Sequence, residues 1–138
     1  MGRFQAAALW VVAACLGLTL PVAAAGKYDG SAPMLCAITA ASECTADGKC
    51  ERSAPQAGNN LPTFMRVDVK GKVLRADDDS GRKTEIKASS VVDDQLMLQG
   101  IENGKAWSMV IKSETGRWGG SVVEDDGSFA LFGACTLP

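Results

Sequence analysis

From Thr63 to Cys135 the chain is broken about every eight to twelve residues by turn-forming sequence, which leaves room for short strands and little else. Gly71, Asp77-Asp78-Asp79-Ser80-Gly81, Asp93-Asp94, Asn103-Gly104, Thr115-Gly116 and Asp125-Asp126-Gly127 supply the breaks. Glycine tolerates positive φ, and Asp and Asn side chains bond their own backbone, so such clusters reverse the chain. Asn103-Gly104 is the strongest of them, because a two-residue hairpin needs both central residues left-handed. The runs between the breaks read as strands. Phe64 to Lys70 alternates, with Met65, Val67 and Val69 on one face and Arg66, Asp68 and Lys70 on the other. Lys72 to Ala76 follows, and then Arg82 to Ala88, with Thr84, Ile86 and Ala88 inward. Gln95 to Ile101 is next, then Lys105 to Lys112 with Trp107, Met109 and Ile111 on one face. Arg117 to Glu124 and Ser128 to Cys135 complete the set.

Upstream, Met34 to Ser53 reads as two strands joined at Asp47-Gly48, and Ala54 to Pro62 (APQAGNNLP) is a connection. Helix competes only at Ala37 to Glu43, which is short and lacks an apolar face at helical spacing, so strand is expected there too. At 138 residues the chain suits one domain. The expectation is an all-β domain over 34–138, with eight to nine short antiparallel strands in a meander that forms a small barrel or sandwich.

The cysteines sharpen this picture. Cys36, Cys44, Cys50 and Cys135 are an even set, which in an exported chain reads as disulfides. Cys44 and Cys50 flank Thr45-Ala46-Asp47-Gly48-Lys49, whose composition is that of a hairpin turn, so they pair with each other and Cys36 pairs with Cys135. That bridge would latch the first strand to the last. Closing a loop of about 100 residues stabilises by roughly 4.7 kcal/mol on the chain-entropy estimate, and the short loop by roughly half that.

The first twenty-five residues read as an export signal: Arg3, then a mostly apolar run from Ala6 to Leu20, then Ala23-Ala24-Ala25 before Gly26. Val12-Ala13-Ala14-Cys15 offers a rival, a lipobox with Cys15 lipidated, but the apolar run continues through Leu16, Leu18, Leu20 and Val22. The run is too short to span a bilayer, and Pro21 interrupts it, so no membrane span is expected once the signal is removed. Residues 26–33 read as a flexible polar leader. Beyond the signal, 13 basic residues face 16 acidic ones, with no basic stripe for nucleic acid and no polybasic membrane patch.

The chain contains no histidine, which removes the usual proton shuttle, Ser-His-Asp and Cys-His arrangements and His-containing zinc sites. The cysteine spacing does not suit a Cys₄ zinc site or a C-x-x-C redox pair. Ser80-Gly81-Arg82-Lys83 matches S-x-x-K, yet it lies in a polar turn where the serine-lysine mechanism needs a helix. Asp77, Asp79 and Gly81 echo a calcium loop with the glycine one position early, and Asp93-Asp94 and Glu124-Asp125-Asp126 are similar clusters that read as solvated turns. Glu102, Glu114 and Glu124 could serve glycoside hydrolysis only if the fold brought them together. No enzyme activity, metal or cofactor is expected.

The aromatic residues remain. Trp107 and Trp118 fall on consecutive strands, while Phe129 and Phe132 on the next face opposite ways. Most such residues are core, but one tryptophan can line a pocket or mark an exposed binding face. Gly119 and Gly120 would leave the face at Trp118 open, so Trp118, Gly119 and Gly120, with Trp107 second, form the candidate binding surface.

The strings LCAITAASECTADGKC, NLPTFMRVDV, LQGIENGKAWSMVI, TGRW and FGACT resemble a group of small exported proteobacterial proteins of unknown function. The resemblance covers most of the chain beyond the signal and implies export and a β-rich domain. It transfers no catalytic or binding residue. In size and strand count the chain also looks like small periplasmic β-barrel inhibitors of proteases or lysozymes, an analogy of plan alone. The function expected is a periplasmic or secreted, non-enzymatic module that binds an envelope protein or a small apolar ligand. The alternative is an inhibitor of a periplasmic or secreted hydrolase, acting through a loop such as Ala54 to Pro62.

Overall fold

The computed structural model describes residues 27–55 and 61–138. The signal segment, Cys15 and residues 56–60 of the long connection lie outside the described residues. Nine strands follow in chain order: β1 (Met34–Thr45), β2 (Cys50–Ser53), β3 (Phe64–Asp68), β4 (Val73–Ala76), β5 (Lys83–Val92), β6 (Gln95–Glu102), β7 (Lys105–Lys112), β8 (Arg117–Val123) and β9 (Gly127–Thr136). No helix among the described residues is long and apolar enough to cross a membrane.

All pairings are antiparallel, in the order β2-β1-β3-β4-β5-β6-β7-β8-β9, and β1 also pairs with β9. That last pairing closes strands β1 and β3–β9 into an eight-stranded barrel, with β2 as an added strand. Barrel, not sandwich, is the outcome, because β1 divides one of its edges between two partners. Its first residues, Met34 to Ala37, pair with β3, and its later ones, Ala41 to Cys44, pair with β2. The other edge runs along β9 from Leu35 to Thr45, with a register shift between Ile38 and Ala40. Cys36 stands opposite Cys135 and Cys44 opposite Cys50, and both pairs are bonded. In antiparallel sheets directly opposed side chains come within bonding reach, so register alone sets both bridges.

The core is the barrel lumen. Met34, Cys36, Val67, Leu96, Leu98 and Ile111 are almost wholly removed from water. Alternation puts Met65 with Val67, Leu96 with Leu98, and Met109 with Ile111 inside, as strand periodicity requires. Two expectations are corrected. Ala88 was placed inward with Thr84 and Ile86, but it is exposed. A register shift between Ile86 and Ala88 inserts one residue and reverses the alternation beyond it. The same strand runs on to Val92, because Asp93 and Asp94 take φ of 49° and 59° and make a two-residue hairpin turn with no glycine.

The leader is the second correction. Residues 27–33 form turns, yet Tyr28 is 7% exposed and belongs to the core. Its backbone N–H donates to the Ser113 carbonyl at 3.0 Å, and its ring packs so closely on Gly116 that a Cβ there would meet it at 2.9 Å. A short polar segment looks free in sequence; its one aromatic ring instead stoppers the barrel at the end where Ser113, Gly116 and Cys135 lie.

Candidate functional site

With Tyr28 filling one end, the free volume of the lumen lies at the other. There β4 ends, β5 begins, and the β6–β7 hairpin turns at Asn103 and Gly104, with φ of 49° and 80°. A cavity of about 390 Å³ opens at this end. Its walls include Ile38 of β1, Met65 of β3, Leu74 of β4, Met109 of β7 and Leu131 of β9, with Trp107 and Trp118 facing into it. Leu61 and Pro62, the end of the long connection, border the opening. Pockets of this size, mostly apolar with a few polar groups, suit small-molecule ligands.

Two glycines shape the cavity. Gly100 sits directly opposite Trp107 across the hairpin, and a Cβ there would lie 2.3 Å from the indole. The ring therefore lies flat over Gly100 and reaches β5, where its Nε1–H donates to the Thr84 hydroxyl at 3.1 Å. Gly120 is the second. A Cβ on it would lie 2.6 Å from the Ser108 carbonyl and 3.5 Å from the Trp118 ring, so β7 and β8 approach closely behind that ring. Trp107 is thus held by a hydrogen bond and a seat on Gly100, and Trp118 lies against Gly133 of β9, where a Cβ would come within 2.7 Å of its ring, which orients both indoles without filling the space between.

The charged groups stand at the rim. Lys105 bonds Glu124 at 2.7 Å, and that carboxylate raises the lysine above its ordinary value. Glu102 is the register partner of Lys105, and Arg82, half-buried, and Lys83 complete the lining on the β5 side.

The residues singled out from sequence divide. Trp107, Trp118 and Gly120 line the cavity, whereas Gly119 faces outward beside Phe132. Trp118 does not mark an exposed face. It is 5% exposed, inside the barrel, and its Nε1–H donates to the Ala37 carbonyl. The two glycines beside it open the sheet to opposite sides because neighbouring strand residues alternate. Glu102 and Glu124 both flank Lys105, but Glu114 lies in the β7–β8 turn at the opposite end, so the three carboxylates do not converge. Ser80 bonds Asp78 within the β4–β5 turn, and the described residues contain no helix to carry a serine-lysine pair. Asp77 bonds Arg66 at 2.7 Å. Among the described residues no three His, Cys, Asp or Glu side chains cluster as metal ligands.

Gly100, Thr84 and Leu74 were missed as site residues. One of them was within reach of the sequence. A two-residue turn at Asn103-Gly104 puts residues whose numbers sum to 207 opposite each other, which pairs Gly100 with Trp107.

Comparison with protein-family models, with curated proteins and with solved structures finds no match to this chain. Its two disulfides accord with an oxidising, extracytoplasmic location.

Proposed function

We propose that this chain is an exported, non-enzymatic binding domain of a Gram-negative periplasm, and that it holds a small apolar ligand in the open end of its barrel. The observation that carries this reading is the cavity of about 390 Å³ between Trp107 and Trp118. A barrel whose sole task was structural would fill its lumen, as interiors pack to near-crystalline density. Here one end is stoppered by Tyr28 while the other keeps an apolar space with two oriented indoles at its wall. Rings so placed offer large, rigid contact area at little entropic cost. The absence of histidine from the chain supports binding over catalysis, as does the separation of Glu114 from the other two candidate carboxylates.

The test uses N-phenyl-1-naphthylamine, a small apolar dye that fluoresces when it leaves water. The oxidised protein should enhance its emission saturably and quench tryptophan emission in step. Leu74→Trp, which fills the cavity from β4, should abolish the enhancement. No saturable enhancement, or enhancement that Leu74→Trp leaves intact, would refute the reading.

A further inference from the structure

The wall of the barrel is split at the end where the cavity opens. Register between β5 and β6 runs from Val92 and Gln95 down to Ile86 and Gly100, and stops there. Beyond that point, among the described residues, Lys83, Thr84 and Glu85 pair with β4 alone, and Ile101 and Glu102 with β7 alone. The two strands part, and both banks of the gap line the cavity: Arg82, Lys83 and Thr84 on one side, Glu102 and Asn103 on the other. Trp107 spans the foot of the gap, since its indole lies over Gly100 and its Nε1–H reaches the Thr84 hydroxyl. That hydroxyl, having accepted one bond, still has a proton to donate.

The two banks differ in charge. On the β6–β7 side Lys105 is bonded to Glu124 and stands opposite Glu102, so that cation is matched within the protein. On the β5 side Lys83 has no carboxylate opposite it. Its partner on β4 is Arg75, whose own partner on β3 is Arg66. Arg66 is bonded to Asp77, and Glu85, the next outward residue along β5, is bonded to Lys87. Arg75 and Lys83 remain opposed as like charges, a pairing that destabilises a sheet. Arg82 is half-buried beside them. Asp77, Asp78 and Asp79 of the β4–β5 turn do not line the cavity, and Asp78 is held by Ser80 ahead of the Arg82 charge. An anion at the mouth would relieve this cluster.

We infer that the ligand is a single-chain amphiphile with an anionic head, its chain in the lumen and its head against Lys83 and Arg82 in the gap between β5 and β6. This rests on the reading of the cavity as a ligand site and gives that ligand its chemical class. Tyr28 closes the far end, so an entering molecule goes in apolar part first and keeps its polar part at the mouth. The lumen walls, from Ile38 and Met65 to Met109 and Leu131, suit a hydrocarbon chain. Volume agrees. A methylene takes roughly the room of a liquid water, about 30 Å³, so a cavity of about 390 Å³ holds one chain of about a dozen carbons. At the mouth, charge-assisted bonds from a guanidinium and an ammonium to an oxyanion are about twice as strong as neutral ones.

Competition against bound N-phenyl-1-naphthylamine tests it, with three ligands that share a twelve-carbon chain and differ in the head. These are dodecanoate, dodecanol and dodecyltrimethylammonium, each kept below its micellar concentration. Dodecanoate should displace the dye at a concentration at least about tenfold lower than either of the others. Raising sodium chloride from about 0.05 to 0.5 M should shrink that advantage, since salt screens a head held at the mouth. Lys83→Glu, at an exposed position, should cut it to about threefold or less, because it sets a like charge against the carboxylate. Arg117→Glu, at the Tyr28 end, should leave it whole, and near-UV circular dichroism reports whether each variant keeps its fold. Dye displaced equally by all three ligands, or best by the ammonium, would overturn the inference and leave the cavity a ligand site. A preference that Lys83→Glu does not diminish would overturn the placement of the head. Dye that never binds would remove both readings.

Discussion

The Nε1–H of Trp118 donates to the carbonyl of Ala37 at 3.2 Å, tying β8 to β1 across the intervening β9. Gly133 on β9 makes this possible. A Cβ there would lie 1.9 Å from the Ala37 oxygen and 2.6 Å from the Trp118 nitrogen. Gly133→Ala must therefore break the bond and push two strands apart, at a cost of about 3 kcal/mol or more. Trp118→Phe keeps most of the ring volume and loses the donor, and should cost about 1–3 kcal/mol. Urea unfolding of the oxidised proteins measures both, and Gly133→Ala should be the worse of the two.

Tyr28 gives a second prediction. Were residues 27–33 a loose tail, Tyr28→Ala would stay within about 0.5 kcal/mol of the parent. The buried ring against Gly116 instead requires a loss of about 3 kcal/mol, read as a shift of the urea midpoint at unchanged slope.

The two disulfides should contribute unequally. Cys36 and Cys135 are 99 residues apart in sequence, and Cys44 and Cys50 are six apart. On the chain-entropy estimate, replacing the first pair by alanine costs about 4.7 kcal/mol and replacing the second about half as much. Guanidinium unfolding of the two double variants ranks them. Equal losses would mean that the unfolded chain is already compact enough to make loop length irrelevant.

Acid should weaken the fold, by a modest amount at each site because the groups are exposed. The Thr45 hydroxyl, then the Lys49 ammonium, hold Asp47 below the ordinary carboxylate value. Ser80 does the same for Asp78, Lys87 for Glu85 and Ser31 for Asp29. A lowered folded-state pKa means that the unfolded chain binds the proton more tightly. Each group then favours the folded state above its unfolded value near 4, and that contribution disappears as pH falls through the lower folded value. Melting temperature should hold from about pH 7 to 5 and fall below about 4. Ser80→Ala should make the acid limb shallower. A melting temperature that climbs between about pH 5 and 3 would contradict the assignment.

Much of the fold was legible before any coordinates. Asn103-Gly104 and Asp47-Gly48 turn where their φ requirements say, and Met65/Val67 and Met109/Ile111 point inward because strand side chains alternate. The Cys44–Cys50 pairing was readable because both residues flank one short turn. Misreadings arose where a local rule was interrupted. One extra residue near Lys87 reversed the side on which Ala88 lies, and nothing in the composition of that run marks it. Asp93-Asp94 makes a tight hairpin turn without the glycine that usually announces one.

Sequence by itself determined the strand set and the disulfide pairs, since turns, alternation and cysteine spacing act over a few residues or along one strand. Only the tertiary structure decided barrel over sandwich, because closure depends on how β1 shares its edges among β2, β3 and β9. It alone put Trp118 inside, hydrogen-bonded to a carbonyl 81 residues away, and left the space between the two indoles empty. A cavity is what side chains from all eight strands of the barrel fail to fill. It is a sum over residues distant in the chain, and no local pattern carries it.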